Sequence, residues 1–328
     1  MRVGFEQADF GALAELWGQT LPSRFVVTPE LLRANTVDSP LFDWGASAID
    51  LGEDGPRAFV AVKRSANPTL FSGPDPDQAH LTCLVYSDPS LAVDLVARVK
   101  SILRDRGVYK LVFGADSRHF FPGCPSECTA LRDFLIIEGF DEGGEVIDLE
   151  RDLSDYEPPQ GCLAVLSGWD ARQRPKSAAG ATTVGPIHED DLGALEQFLE
   201  REFPGRWASD TMRMIAEEGT SEGVYGLFVA DQVEGFAVTQ REGQKMPFGG
   251  AVWHLDLGER WGSLGPIGVS KGVRGKGFGD ALLGASLLAL KEHGTKRCII
   301  DWTTLEAFYG RHGFKPARSY QPFILGLE

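Results

Sequence analysis

The chain repeats itself. Asp9-Phe10-Gly11-Ala12-Leu13 returns as Asp191-Leu192-Gly193-Ala194-Leu195, an offset of 182 residues. The same offset carries "LPSRF" (21–25) onto "FPGRW" (203–207). Towards the end of each half, "RDFLIIEGF" (132–140) is echoed by "EAFYGRHGF" (306–314), with the offset reduced to 174 by unequal loops. One such match is within chance; three in the same order are a duplication. A duplicated chain builds one fold twice, so the 328 residues are read as two domains of about 150 residues rather than one large core.

Each half carries the same order of patterns. A short strand leads into amphipathic helices, then into β-rich runs such as "VYGLFVAD" (224–231) and "QVEGFAVTQR" (232–241). An apolar run, a long helix, a strand such as "KRCIIDW" (296–302), a short helix and a final strand follow. This alternation predicts an α/β architecture with a mixed sheet in both halves. "DYEPPQG" (155–161) and "RQRPKSAAGA" (172–181) are rich in Pro, Gly and small polar residues and bracket the junction. The expected division is therefore 1–155, a linker at 156–177, and 178–328.

Composition narrows the partners. A net charge of −15 gives no basic footprint for a phosphate backbone, which argues against nucleic acid. It is compatible with a cationic amine as substrate. No apolar run reaches the roughly 20 residues of a membrane span. The start, "MRVGFEQADFGALAELW", lacks the charged-then-apolar layout of a signal peptide, and the expected compartment is the cytoplasm. Five cysteines, an odd number with no repeating framework, are expected as free thiols. Cys124 and Cys128 near His119 form a weak metal signal, with no second cysteine pair to complete it, and no metal is expected.

The most specific local pattern is "GPIGVSKGVRGKGFGDALLGASLLALKEHG" (265–294). Gly275, Gly277 and Gly279 stand between an apolar run and a helix pattern. Bare glycine backbone at a helix start suits a bound anion. A dinucleotide fingerprint wants a glycine where Asp280 stands, and a Walker loop wants Gly-Lys-Ser/Thr, which "GKGFGD" lacks. What remains is Arg274-x-x-Gly277-x-Gly279, with Lys276 as a second cation; a tight strand-to-helix turn without a ligand is the bland alternative.

Here the chain resembles the GCN5-related N-acetyltransferase (GNAT) superfamily. The family places an apolar-x-Val step before an Arg-x-x-Gly-x-Gly loop, and Ile267 and Val269 match it. The resemblance implies that Ile267 and Val269 pair their backbone with the pantetheine arm of acetyl-CoA. It implies that Arg274, Gly275, Lys276, Gly277, Phe278 and Gly279 cradle the pyrophosphate. "WTTLEAFYGRHGF" (302–314) resembles the family's late helix, which assigns to Tyr309 the role of general acid towards the departing thiolate. One departure is Trp302, where the family often has an asparagine that contacts pantetheine. An indole donates one hydrogen bond and cannot copy an amide, so Trp302 is expected to pack on the cofactor or stack on a sugar face.

The first half is a degenerate copy. The helix after "HLTCLVYS" (80–87) starts with "DPSLAVDL", without a glycine loop, and Leu135 stands where Tyr309 stands in the second half. That domain is expected to be structural or substrate-shaping. For the base of an amine acetylation, Asp301 is the first candidate, with His254 and Glu259 in "WHLDLGERW" competing. Asp301 can equally be a helix-capping carboxylate. The acceptor is expected to be a small primary amine. The tandem arrangement with Trp302 is similar to bacterial glucosamine/glucosaminide N-acetyltransferases, in which case Trp253, Trp261 and Trp302 offer a sugar its stacking surface. Mycothiol synthase is another tandem family member, and a non-catalytic acetyl-CoA sensor is the reading from a different class.

Overall fold

The computed structural model describes residues 1–64, 77–175 and 181–327. Two compact units are present, Met1–Ile147 with Arg318–Glu328, and Asp148–Ala317. They are not consecutive stretches, because the C-terminal residues pack with the N-terminal unit.

In chain order the first half contains β1 (Arg2–Val3), α1 (Phe10–Thr20), α2 (Pro29–Ala34), β2 (Ala48–Leu51), β3 (Pro56–Arg64) and β4 (Gln78–Tyr86). It continues with α3 (Pro89–Asp105), β5 (Lys110–Phe113), β6 (Cys124–Pro125), α4 (Thr129–Ile137), β7 (Asp141–Glu142) and β8 (Val146–Asp152). The second half begins with β9 (Thr182–Pro186), α5 (Leu192–Glu202), α6 (Arg206–Glu218), β10 (Val224–Val229) and β11 (Gln232–Arg241). Then come α7 (His254–Leu257), β12 (Trp261–Val269), α8 (Phe278–Glu292), β13 (Arg297–Thr303), α9 (Glu306–Gly310), β14 (Lys315–Gln321) and β15 (Phe323–Gly326). The mixed α/β architecture predicted from the element order is present in both halves. Helices α1 and α5 keep the sequence offset of 182 at both of their ends.

In the first unit the strands run β1-β2-β3-β4-β5-β15-β7, with β4 and β5 parallel and β5 antiparallel to β15. In the second they run β14-β8-β13-β12-β11-β10-β9, with β12 and β13 parallel. Each sheet thus holds one strand that, by chain order, closes the other half. Strand β15 lies beside β5, and β8 lies beside β13.

Period-two alternation gives the second sheet two apolar faces. Tyr225, Leu227 and Ala237 pack on α8, through Ala281, Leu282, Ala285 and Ala289. Val224, Phe228, Phe236 and Val238 pack on α5 and α6, through Leu195, Phe198, Leu199, Met214 and Ile215. Helix α8 is apolar nearly all round because it is buried on more than one side: Leu283, Ser286 and Leu287 are inaccessible as well. What covers it includes part of the Pro/Gly-rich junction. Cys162, Leu166 and Ala171 belong to the α8 cluster, and Tyr156 is buried too. Residues 176–180, the end of the expected linker and the start of the expected second domain, lie outside the described residues. All five cysteines are buried free thiols, and no group of three or more His, Cys, Asp or Glu able to hold a metal is found among the described residues. No helix among them is long and apolar enough to cross a membrane.

The first unit holds a buried ion pair. Lys63 and Asp116 are fully inaccessible, with Nζ 2.7 Å from Oδ2. Nζ also donates to the Ser117 carbonyl, and the Thr82 hydroxyl donates to Asp116. Burial is the largest effect on Asp116 and opposes its ionisation, but the charge of Lys63, its hydrogen bond, and His80 and His119 together outweigh it, so its pKa lies below the ordinary carboxylate value. Removing one member of such a pair leaves a bare buried charge. Lys63→Met is therefore expected to cost about 3–5 kcal/mol in denaturant unfolding of the full chain. Lys63→Met/Asp116→Leu should recover most of that loss, and a single variant as stable as wild type would show that the pair does not hold the unit together.

Candidate active site

The second sheet opens into a fork. Strands β12 and β13 pair only over Trp261↔Arg297, Gly262↔Cys298 and Ser263↔Ile299, and then diverge. On its other edge β12 stays paired with β11, through Ala237↔Ile267, Phe236↔Gly268 and Gly235↔Val269. The Ser270 amide donates to the Glu234 carbonyl, so by strand alternation Gly268 faces β11 as well. Ile267 and Val269 therefore turn their N–H and C=O groups into the fork. Arg274 Nε reaches back to the Val269 carbonyl, at 3.3 Å.

The glycine loop stands at the mouth of this fork. Gly275 has φ 77° and Gly277 has φ 79°, a region that side chains with a Cβ avoid. Gly277 is the N-cap of α8 and supplies no side-chain cap, so the amides of the first turn are left for a ligand or water. A Cβ on either glycine would meet nothing within 4 Å, so the approach is open. Arg274 and Lys276 are exposed beside it. Phe278 instead packs into the α8 cluster, and Gly279 lies against Phe308, whose ring a Cβ there would approach to 3.8 Å. An uncapped helix start flanked by two cations fits a diphosphate, and unpaired strand groups fit an amide-bearing arm.

Tyr309, on α9, lies near enough to Asp301, on β13, for the charge of the carboxylate to act on the phenol. The Arg311 guanidinium pairs with both oxygens of Asp280, at 2.8 and 3.0 Å, which ties the chain just after α9 to the first turn of α8. Tyr156 bonds His312 Nδ1 at 2.8 Å, and Arg151 donates to the His312 carbonyl, which fixes the following turn. Tyr309 is nearly buried, and burial together with the Asp301 carboxylate pushes its pKa up to about 12. The phenol is therefore a proton donor throughout the neutral range. Asp301 is surrounded by glycines. A Cβ on Gly249 or Gly265 would lie 3.2–3.4 Å from its carboxylate oxygens, and one on Gly250 3.2 Å from its Cβ, so a larger residue at any of them would press on the side chain.

Trp302 follows in a left-handed conformation, φ 47°, unusual for so large a side chain. Its backbone N–H donates to Asp148 Oδ1 at 3.1 Å, and the Arg206 guanidinium lies 4.3 Å above its ring. One face of the indole is thus already covered. Asp148 and Arg206 were not foreseen from sequence, because their partners depend on strand and helix placement that no local pattern encodes.

His254 and Glu259 precede β12, whose first residue, Trp261, pairs with Arg297. His254 packs against the Trp261 ring, and burial lowers its pKa. Trp253 and Trp261 are core residues, which corrects their expected place on a sugar-stacking surface: apolar area that large is more stable inside.

The first unit has the corresponding fork but fills it with its own groups. Strands β4 and β5 pair up to Leu81↔Phe113. Just beyond, the Thr82–Asp116 hydrogen bond spans the gap. Helix α3 has Asp88 as its N-cap, the carboxylate accepting from the Ser90 amide at 2.8 Å, and Pro89 removes a further donor. Leu135 is fully buried.

Residues 224–316 match the family model described as acetyltransferase (GNAT) domain. No curated protein sequence matches the chain. Among solved structures, a GCN5-related glucosamine N-acetyltransferase region of a fungal multi-domain GH3 β-N-acetylglucosaminidase superposes with TM-score 0.84 at 20% identity, over 99% of this chain. This chain spans only 38% of that protein's length. A GCN5-related N-acetyltransferase from Sphaerobacter thermophilus matches with TM-score 0.67 at 16% identity, over 100% of this chain and 96% of that one. A tandem GNAT protein from the clavulanic acid biosynthesis pathway matches with TM-score 0.66 at 13% identity, over 100% and 98%. Residues 224–316 therefore form a domain of the GNAT acetyltransferase family, within a chain whose fold is that of the tandem GNAT proteins.

Proposed function

We propose that the second unit moves an acetyl group from acetyl-CoA to a primary amine, with an amino sugar as the acceptor class. The observation that supports this reading is the uncapped Gly277 helix start beside the diverging strands β12 and β13, with the charge of Asp301 acting on Tyr309. The amino-sugar assignment draws on the printed name of the fungal relative, a glucosamine N-acetyltransferase region.

Acetyl-CoA supplies an activated thioester; this chain supplies placement and proton transfer. Arg274, Gly275, Lys276, Gly277, Phe278 and Gly279 hold the diphosphate at the α8 start, while Ile267 and Val269 pair with the pantetheine arm. Trp302 packs beside that arm with the face Arg206 leaves open. A neutral amine nitrogen attacks the carbonyl carbon, forming the C–N bond as the C–S bond breaks. Asp301 accepts the proton the nitrogen loses, and an amide of the β12 edge near Val269 donates to the carbonyl oxygen as it gains charge. Tyr309, neutral because of its raised pKa, gives its proton to the departing sulfur.

The full chain mixed with acetyl-CoA and an amine panel (glucosamine, chitosan oligomers, polyamines, aminoglycosides) should release free thiol with at least one amine. Binding of acetyl-CoA without thiol release from any of them would instead make the chain a sensor. Calorimetry should find one acetyl-CoA site per chain, since Asp88 and the Thr82–Asp116 bond occupy the first unit's equivalent positions. Two equal sites would refute the assignment to the second unit alone.

A further inference from the structure

We propose that Asp148 is a positioning residue for Asp301, acting through the peptide bond between Asp301 and Trp302. The inference rests on the reading of Asp301 as the group that receives the amine proton. The hydrogen bond from the Trp302 N–H to Asp148 Oδ1 (3.1 Å) is made by the peptide that carries the Asp301 carbonyl. It therefore fixes the backbone rotation on the C-terminal side of Asp301. Successive side chains of a strand point to opposite faces, and a residue at φ 47° breaks that alternation. A tryptophan does not hold such a conformation unaided, because its Cβ crowds the following carbonyl.

Two groups hold it in place. Asp148 is fully buried and grips the backbone from β8, the neighbour of β13. Arg206, at the start of α6, covers the indole ring at 4.3 Å, with Asp210 a further 3.8 Å from its guanidinium. Asp301 thus sits one residue from a clamped point, its carboxylate beside Gly249 and Gly265. By chain order Asp148 belongs to the first half of the duplicated chain, yet it packs in the same compact unit as Trp302.

The test is a double-substitution cycle in the full chain, with glucosamine as acceptor and acetyl-CoA affinity measured in parallel. Asp148→Ala is expected to lower kcat/KM by about 10–100-fold, the loss that a misplaced catalytic group brings, with acetyl-CoA affinity unchanged. The same change made on top of Trp302→Gly should cost less than about threefold, because glycine holds positive φ without the clamp. Asp148→Asn keeps an Oδ1 acceptor and guards against a misfolded alanine variant; it should retain at least about a third of the activity. Equal losses from Asp148→Ala in both backgrounds, or an asparagine variant as impaired as alanine with normal cofactor binding, would overturn the proposal. A crystal structure of Asp148→Ala in which the 301–302 peptide keeps its orientation would do so whatever the acceptor proves to be. Asp301→Asn separates the two readings: full activity there removes the base, whereas an inactive Asp301→Asn beside an unimpaired Asp148→Ala removes only the clamp.

Discussion

Tyr309→Phe is expected to lower turnover by about 10²–10⁴-fold, the range for a positioned general acid. The acetyl-CoA dissociation constant should stay within about threefold of wild type. The leaving thiolate has a pKa near that of an ordinary thiol, about 8.5, so it departs without full protonation and the acid's share is limited to about 3–5 kcal/mol. The ring itself is nearly buried, packed edge-on against Phe308 with centroids 4.9 Å apart, and phenylalanine keeps that contact. Single-turnover thiol release and calorimetry check the two halves of the statement. Wild-type turnover would remove Tyr309 from the chemistry, and loss of cofactor binding would make its role structural. The raised pKa carries a corollary. Because burial and the Asp301 carboxylate hold the phenol neutral up to about 12, the alkaline limb of the rate profile should not come from Tyr309 below that pH. A wild-type alkaline pKa well below that, absent in Tyr309→Phe, would contradict it.

Gly277→Glu should abolish measurable acetyl-CoA binding, a loss of at least about 10²-fold. Two effects combine. Gly277 sits at φ 79°, where a residue with a Cβ costs about 1–2 kcal/mol. The new carboxylate would also stand where the diphosphate is proposed to lie, and like charges about 4 Å apart repel by about 4 kcal/mol at a protein surface. The open space around that position means that the protein itself does not clash with the new side chain. Gly277→Asn separates the contributions, since asparagine tolerates the left-handed region and carries no charge. It should bind within about tenfold of wild type. If asparagine is as damaging as glutamate, backbone geometry rather than charge governs the loop; if glutamate binds normally, the diphosphate lies elsewhere.

Much of this protein is legible in its residues because the signals are local. A glycine loop between a strand and a helix is contiguous in sequence, so Gly275 and Gly277 could be found at once, and both adopt the positive φ for which glycine is suited. The duplication reads directly as an offset, and α1 and α5 keep it to the residue. In the first half "DPSLAVDL" visibly lacks a glycine loop, and the structure makes Asp88 the N-cap of α3. Tyr309 and Asp301 are eight residues apart in chain, so the effect of the carboxylate on the phenol needs no long-range strand pairing.

Tertiary structure decided the rest, through contacts between distant residues. Trp253 and Trp261 have the same composition signal as Trp302, yet only burial shows that they are core while Trp302 is half-buried. The bridge from Thr82 to Asp116 depends on where two parallel strands diverge, a distance no sequence period encodes. Least visible was the strand arrangement, in which β15 lies beside β5 and β8 beside β13. A fragment starting at residue 178 would lack β8, and with it Asp148 and its bond to Trp302. Contiguous patterns alone specify a duplicated α/β chain with a glycine loop, Arg274 to Gly279, leading into α8. Which strand stands next to the fork was settled by long-range strand pairing and the burial it allows, because backbone groups at a strand edge accept any partner that brings them out of water.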